Sequence, residues 1–296
     1  MASSRPWPLD DDDRPSGSVR PLSQADLRAI LNHLTDADQL LAGTDADRPV
    51  VAVRVRASVG QPGGSAQARW QRMRAAEWTR WTHSLPWRVA ASLGIGASGG
   101  LLGNLLAPRL GLVLGGFATL VAGWGLRFQP SHDAVAWRRG AAGERRTARL
   151  LAPLEHHGWA ILHDLTLPGS RANLDHLAIG PGGVFVIDSK QYRGRLQLDA
   201  SRKLWHGRHP LASALRVVSW EADQAAQVLP DPGMAVVPIM AVHGTQVPWG
   251  KVVTNGVPVL AVRRLPSMLG SLPAVLGPER IAALADQARI RFHAAA

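Results

Sequence analysis

Apolar and polar positions change rhythm several times along the chain, and each rhythm predicts a different element. In "LSQADLRAILNHLTDADQLLAG" the residues Leu27, Ile30, Leu31 and Leu34 recur at helical spacing behind a Ser23 cap. "RPVVAVRVRASV" alternates valine with arginine, as a strand with one wet face does. After the breaker "GQPGGS", the segment "AQARWQRMRAAEWTRWTHSLPWR" predicts a basic helix carrying Trp70, Trp78 and Trp81. It reads equally as a juxtamembrane helix and as a solvated helix whose tryptophans pack on a neighbour.

Charge then vanishes. Val89–Ala107 is uncharged over 19 residues and, past Pro108-Arg109, Leu110–Leu126 is uncharged over 17. Helices of those lengths reach about 28 and 26 Å, close to the ~30 Å hydrocarbon core of a bilayer. The small-residue steps "GIGASGG" and "GLVLGG" allow two helices to approach closely. A two-helix transmembrane hairpin over 87–128, turning at Pro108-Arg109, is therefore expected, with lipid contact through residues 89–126. Arg72, Arg74, Arg80 and Arg88 precede the hairpin, Arg127, Arg138 and Arg139 follow it, and Arg109 alone lies in the turn. The positive-inside rule then predicts a multi-pass cell-membrane protein of two spans with both terminal regions cytoplasmic. The competing reading is a glycine-rich helix pair buried in a soluble core.

From residue 140 the rhythm alternates between helix and strand. "GAAGERRTARLLAPLEHHG" is helical, "WAILHDLTL", "LDHLAIG" and "VFVIDSK" are strands, and "PGG" closes a hairpin between the last two. The helix "ASALRVVSWEADQAAQVL", the strands "MAVVPIMAVHG" and "GVPVLAVRRL", and the helix "GPERIAALADQARIRFH" complete a mixed α/β domain. The expected organisation is a disordered tail over 1–20, an N-terminal cytoplasmic region over 21–86, the hairpin, and the α/β domain over 140–296.

Composition narrows the chemistry. Lysine and arginine number 33 against 22 acidic residues, a formal charge of +11, which suits a polyanionic partner such as nucleic acid or an anionic membrane face. There is no cysteine, which excludes disulfides, zinc–thiolate sites and a cysteine nucleophile. Any metal would rest on carboxylates or histidines, which points to Mg2+ or Mn2+. No GxxxxGK[ST] loop occurs, so no nucleotide cofactor is expected. The opening "MASSRPWPLDDDDRPSGS" lacks the apolar core of a cleaved signal peptide. Oligomeric state leaves no mark in the sequence.

The candidate chemistry lies in "NLDHLAIGPGGVFVIDSKQYRG". Strand alternation puts Asp188 and Lys190 on one face, and the turn brings Asp175 back to about the same depth or a residue or two beyond. Glu144, on the preceding helix, can reach the same region. Paired carboxylates with a lysine suit metal-assisted phosphodiester hydrolysis. An ordinary charged strand face is the alternative. His176 should point away from Asp175 into hydrogen bonds or core, and His156 and His157 suit a helix C-terminus. "SRKLWHGRH" combines Arg202, Lys203, Trp205 and Arg208, a mixture fit for nucleic-acid contacts or simply a solvated loop.

The segments "GERRTARLL" and "ILHDLTLPGSRANLDHLAIGPGGVFVIDSKQYRGRL" resemble the nuclease-related domain, similar in turn to the PD-(D/E)XK endonuclease superfamily. The resemblance spans roughly 140–262. It implies a restriction-endonuclease-like mixed sheet flanked by helices. It also implies a divalent-metal-dependent endonuclease acting on DNA, with Glu144 as the helix acid, Asp175 as the first strand carboxylate and Asp188 with Lys190 as the D-x-K pair; RNA is the alternative partner. Gln191 and, more loosely, Gln224 occupy auxiliary positions. A membrane-anchored, non-catalytic nucleic-acid-binding or scaffold module is the competing function. In a third reading the hairpin is the working part, for example in oligomerisation, and the nuclease fold a vestige.

Overall fold

The expected basic helix forms as α1, Gly64–His83, and Ser84 alone separates it from α2, Leu85–Leu106. This computed structural model describes residues 60–107, 110–229 and 235–294. The helix and strand expected within 21–59, and the Pro108-Arg109 turn, lie outside the described residues.

Helix α3, Leu110–Gly125, packs along α2 through small residues. A Cβ added at Gly103 would sit 2.8 Å from the Gly111 Cα, so a larger side chain there would force the helices apart. By length and composition α2 is long and apolar enough to cross a membrane, whereas α3, at 16 residues, is shorter than such a span. Large apolar side chains cover the outside of the pair, with Leu105 81% and Leu112 87% exposed. Among the described residues, those side chains are not packed into the core of the α/β domain. The near end of the pair is tied to α1 by the Trp81 indole N–H, which donates to the Leu126 carbonyl at 3.3 Å, and Arg88 of α2 donates to the same carbonyl at 2.8 Å. Trp78 and Trp81 stack on each other and meet Phe128 edge-on.

Helix α4, His132–Leu151, begins where the Ser131 hydroxyl accepts the Ala134 N–H at 3.1 Å. It starts well before residue 140, and α1 packs along it. A tight 3-10 turn, Ala152–His157, ends it on Gly158, with His156 and His157 in the last turn.

Strands β1 (Ala160–Thr166), β2 (Asn173–Gly180) and β3 (Gly183–Gln191) form an antiparallel meander. Three short strands follow as a small separate sheet: β4 (Leu196–Leu198), β5 (Leu204–His206) and β6 (His209–Pro210). Helix α5, Ala212–Val228, then crosses back so that β7, Val236–His243, runs parallel to β3. Strands β8 (Lys251–Thr254) and β9 (Val257–Ala261) form a hairpin, and α6 (Leu265–Gly270), α7 (Pro278–Arg291) and β10 (His293–Ala294) end the described chain. Among the described residues the main sheet has seven strands in the order β10-β1-β2-β3-β7-β9-β8. The single strand expected from "GVPVLAVRRL" thus stops at Ala261 and turns into helix, and β8 is an addition.

Helices cover both faces. Val184 and Val186 of β3 pack with Ala222 and Ala225 of α5 and Ile281 and Leu284 of α7. Phe185 and Ile187 pack on the other side with Leu151 of α4 and Leu265 and Met268 of α6. Alternation thus gives β3 one face toward α5 and one toward α4, and both apolar faces give way to polar residues at its C-terminal end.

Candidate active site

Three aspartates lie in one row across the meander. The β2–β3 ladder pairs His176 with Ile187, and its next step sets Asp175 opposite Asp188. The β1–β2 ladder pairs His163 with His176 and Leu165 with Leu174, which leaves Asp164 opposite Asp175. Asp175 and Asp188 share the α5-facing side of the sheet, as the hairpin count predicts. The Ser189 backbone N–H donates to Asp175 Oδ2 at 2.7 Å, and Lys190 Nζ donates to Asp188 Oδ1 at 2.7 Å. Asp188 is buried, and its Oδ2 has no hydrogen-bond partner. A buried carboxylate oxygen left without a donor is costly, and such an atom at a polar cluster invites a cation or a water.

Two helices bring further acids. Buried Glu144 comes from α4, and its carboxyl is pushed up to about 7 by burial first and by the Asp164 and Asp188 charges, against the opposing pull of Lys190. Buried Glu221 comes from α5 and is held well above the ordinary glutamate range by burial and by Asp188. Burial also raises Asp175, with Glu144 and Asp188 adding to it. Burial alone would lower the Lys190 ammonium, but Asp188, Asp175 and Glu221 outweigh it and keep the amine protonated. The site is thus an acid-rich pocket in which one lysine is shared. Sequence reasoning missed Glu221. It lies three residues before Gln224 and so on nearly the same helical face, but an apolar-rich helix gave no signal to prefer it. Among the described residues no three His, Asp or Glu side chains are already gathered as a ligand set.

Under the aspartate row, on the α4-facing side, runs a chain of neutral polar groups. His163 Nδ1 meets His176 Nδ1 at 2.8 Å, and His176 Nε2 lies 3.3 Å from the Ser189 hydroxyl. That hydroxyl meets Thr147 Oγ1 at 2.7 Å, which in turn meets His243 Nε2 at 2.8 Å. His176 therefore points away from Asp175 and is a hydrogen-bonding histidine. Burial lowers His163 and His243 to about 4 and His176 well below its usual value, so all three are neutral at physiological pH.

Gln191 is exposed at the end of β3, beside Gly143 of α4 and on the opposite face from Lys190. Gln224 is half-buried one turn beyond Glu221 on α5. In the small sheet Arg202, Lys203 and Arg208 are exposed. The Trp205 indole donates to Asp199 Oδ2 at 2.9 Å, and the Lys203 N–H donates to Asp199 Oδ1 at 2.9 Å. The indole N–H therefore serves the loop's own fold, and only the ring face of Trp205 is left for a ligand.

The nuclease-related domain family matches residues 139–243, a span that holds Glu144, Asp175, Asp188, Lys190 and Glu221 and ends where β7 ends. Residues 139–243 form a nuclease-related domain. That family belongs to the PD-(D/E)XK-like nuclease superfamily. Over 59 residues the chain is 36% identical to an uncharacterized protein of Bacillus anthracis, a stretch covering 19% of this chain and 28% of that protein. The chain thus spans well under half the length of this relative. No solved structure matches the chain. In the nuclease-related domain the three aspartates lie on the antiparallel half of the sheet, and the two glutamates approach from its flanking helices.

Proposed function

We propose that the chain is a membrane-tethered, divalent-metal-dependent nuclease that hydrolyses phosphodiester bonds in DNA. The observation that carries this reading is the pair Asp175–Asp188, set opposite each other with the Asp188 Oδ2 buried and unpartnered and Lys190 alongside. The donor set fits a hard cation: it consists of carboxylate oxygens, crowded enough that burial and mutual repulsion raise Glu144, Asp175 and Glu221. Asp175 and Asp188 would hold Mg2+ or Mn2+, with Glu144 or Glu221 completing the donor set. When bound, the ion supplies Lewis acidity to the scissile phosphate and lowers the pKa of water.

The chain's own groups have distinct tasks. Lys190, kept protonated by three carboxylates, orients the attacking water or neutralises charge on the phosphate. To do so it must move from Asp188 Oδ1, which also frees that oxygen. Glu144, poised near neutrality, can accept a proton from the attacking water. The Ser189 N–H fixes Asp175, so the backbone of β3 positions both aspartates. Arg202, Lys203 and Arg208 supply phosphate contacts. The tether reading rests on the exposed apolar surface of α2 and α3 and on the arginines that flank it.

The test uses the full chain in detergent, because α1 packs on α4 and a fragment starting at residue 140 would cut that helix. Cleavage of DNA that depends on Mg2+ or Mn2+ and is lost in Asp188→Ala is expected; unchanged cleavage in that variant sinks the assignment. A non-catalytic nucleic-acid-binding module is the second reading. It is favoured by the Lys190–Asp188 pair, which occupies one of the required oxygens, and by the absence of a gathered ligand set among the described residues. Salt-sensitive DNA binding with no metal-dependent cleavage would select it.

A further inference from the structure

Asp164 lies opposite Asp175 yet does not join it. Its backbone has φ +49°, a left-handed conformation rare for a non-glycine residue, within an otherwise regular strand. Its carboxylate goes instead to the first turn of α1, where Oδ2 accepts the Ser65 N–H and Oδ1 the Ser65 hydroxyl, both at 2.6 Å. The segment before α1 is fitted to this contact. Gly60 N–H donates to the His163 carbonyl at 3.2 Å, and a Cβ at Gly60 would lie 2.8 Å from the Asp164 carbonyl oxygen. A Cβ at Gly64 would lie 2.9 Å from Asp164 Oδ2.

In extended backbone, directly opposed residues of an antiparallel pair project from the same face, with Cβ atoms about 5 Å apart. A relaxed Asp164 would therefore stand beside Asp175, as Asp188 does from the other side. Left-handed backbone and helix cap together prevent this. The far end of α1 is tied to the apolar helix pair through Trp81, whose indole N–H donates to the Leu126 carbonyl and whose ring meets Phe128. A single helix thus links the pair to the aspartate row.

We propose that Asp164 is a reserve carboxylate of the site, withheld by α1. While Ser65 holds it, Asp164 is turned away from Asp175. When the first turn of α1 lets go, residue 164 returns to extended backbone and becomes an additional ligand for the divalent cation. This inference rests on the metal-site reading given above. It makes the helix pair a controller of the site as well as an anchor.

The absence of cysteine makes a clean test possible in the full chain in detergent. Nitroxides on Gln71→Cys of α1 and Glu279→Cys of α7 report whether α1 stays docked. Mn2+ binding, read from the free-ion resonance, reports the site. Ser65→Asp places a like charge against Asp164 while suiting a helix first turn; Ser65→Ala is the milder form. The expected result is a changed or broadened distance and Mn2+ binding about tenfold tighter in Ser65→Asp, with a smaller gain in Ser65→Ala. Adding Asp164→Asn removes both the repulsion and the extra ligand, so Mn2+ affinity should return to the wild-type value. An unchanged distance, a changed distance with no gain in affinity, or a gain that survives Asp164→Asn would each overturn the proposal. Mn2+ bound by none of the proteins would overturn the metal reading itself, and the distance would still show whether Ser65 holds α1.

Discussion

Glu144→Gln should stabilise the apo protein, by an amount that depends on pH. The carboxyl titrates at about 7 in the fold against an ordinary value of 4.5. A raised carboxyl binds its proton more tightly in the folded state, so folding is favoured at low pH and penalised as the group ionises. The penalty is absent below about pH 4.5, grows between 4.5 and 7, and is complete above 7, where it amounts to about 3 kcal/mol. Glutamine keeps the shape and carries no charge, so it removes that penalty. Hydrogen exchange of the β3 amides Val186 to Asp188 measures the gain locally. At pH 8 the variant should exchange about a hundredfold more slowly than wild type, and at pH 5 the two should differ by less than about fivefold. Equal protection at pH 8 would refute the claim that a buried charge is being carried there. An equal gain at both pH values would show that packing, and not ionisation, is responsible. Saturating Mg2+ should narrow the gap at pH 8, because an ion bound by wild-type Glu144 repays the same penalty.

Replacing Arg202, Lys203 and Arg208 together with alanine should weaken DNA binding without changing its sequence preference. It should also reduce the salt slope by about 2 to 3, as loss of three phosphate contacts requires, and an unchanged slope in a filter-binding or anisotropy titration would remove the small sheet from the interface. The full chain should partition into detergent or liposomes, and substituting Leu105, Leu112 and Phe117 with lysine should return it to the aqueous phase. Retention of that triple variant by liposomes would argue against insertion of the α2–α3 pair.

The hairpin carrying the candidate site was legible because every local signal agreed. Alternation put Asp188 and Lys190 on one face, and the count back from the Pro181-Gly182 turn brought Asp175 to within a residue or two of the depth of Asp188, where the ladder sets the two opposite each other. The same alternation sent His176 to the other side. The Asn255-Gly256 step between β8 and β9 was equally plain: both residues have positive φ, as a two-residue hairpin turn demands, and the strand before it went unread. Other features have no local signature. Whether Glu221 or Gln224 faces the aspartates depends on how α5 settles against β3 and β7. "ILHDLTL" reads as an ordinary strand, and only Ser65, 99 residues away, explains why Asp164 leaves it. In the same way an apolar run can be counted, but its neighbours decide what it touches.

The last piece is the role of the polar chain beneath the aspartates. A histidine directly under a carboxylate cluster would ordinarily charge and compensate it. Here His163, His176 and His243 are all driven toward the neutral form by burial, so the chain contributes hydrogen bonds but no positive charge. Its fixed contacts reach Ser189, whose hydroxyl belongs to the chain and whose backbone N–H holds Asp175. Rigidity is thus delivered to the aspartate row without neutralising it. Lys190 is left as the cation in hydrogen-bond contact with Asp188, while Glu144, Asp175 and Glu221 all titrate high for want of more. A fold concerned only with its own stability would gain by letting one of those histidines protonate, or by replacing the acids with apolar residues. Holding the acids in a stiff and undercompensated arrangement is worthwhile where a cation from outside is to complete it.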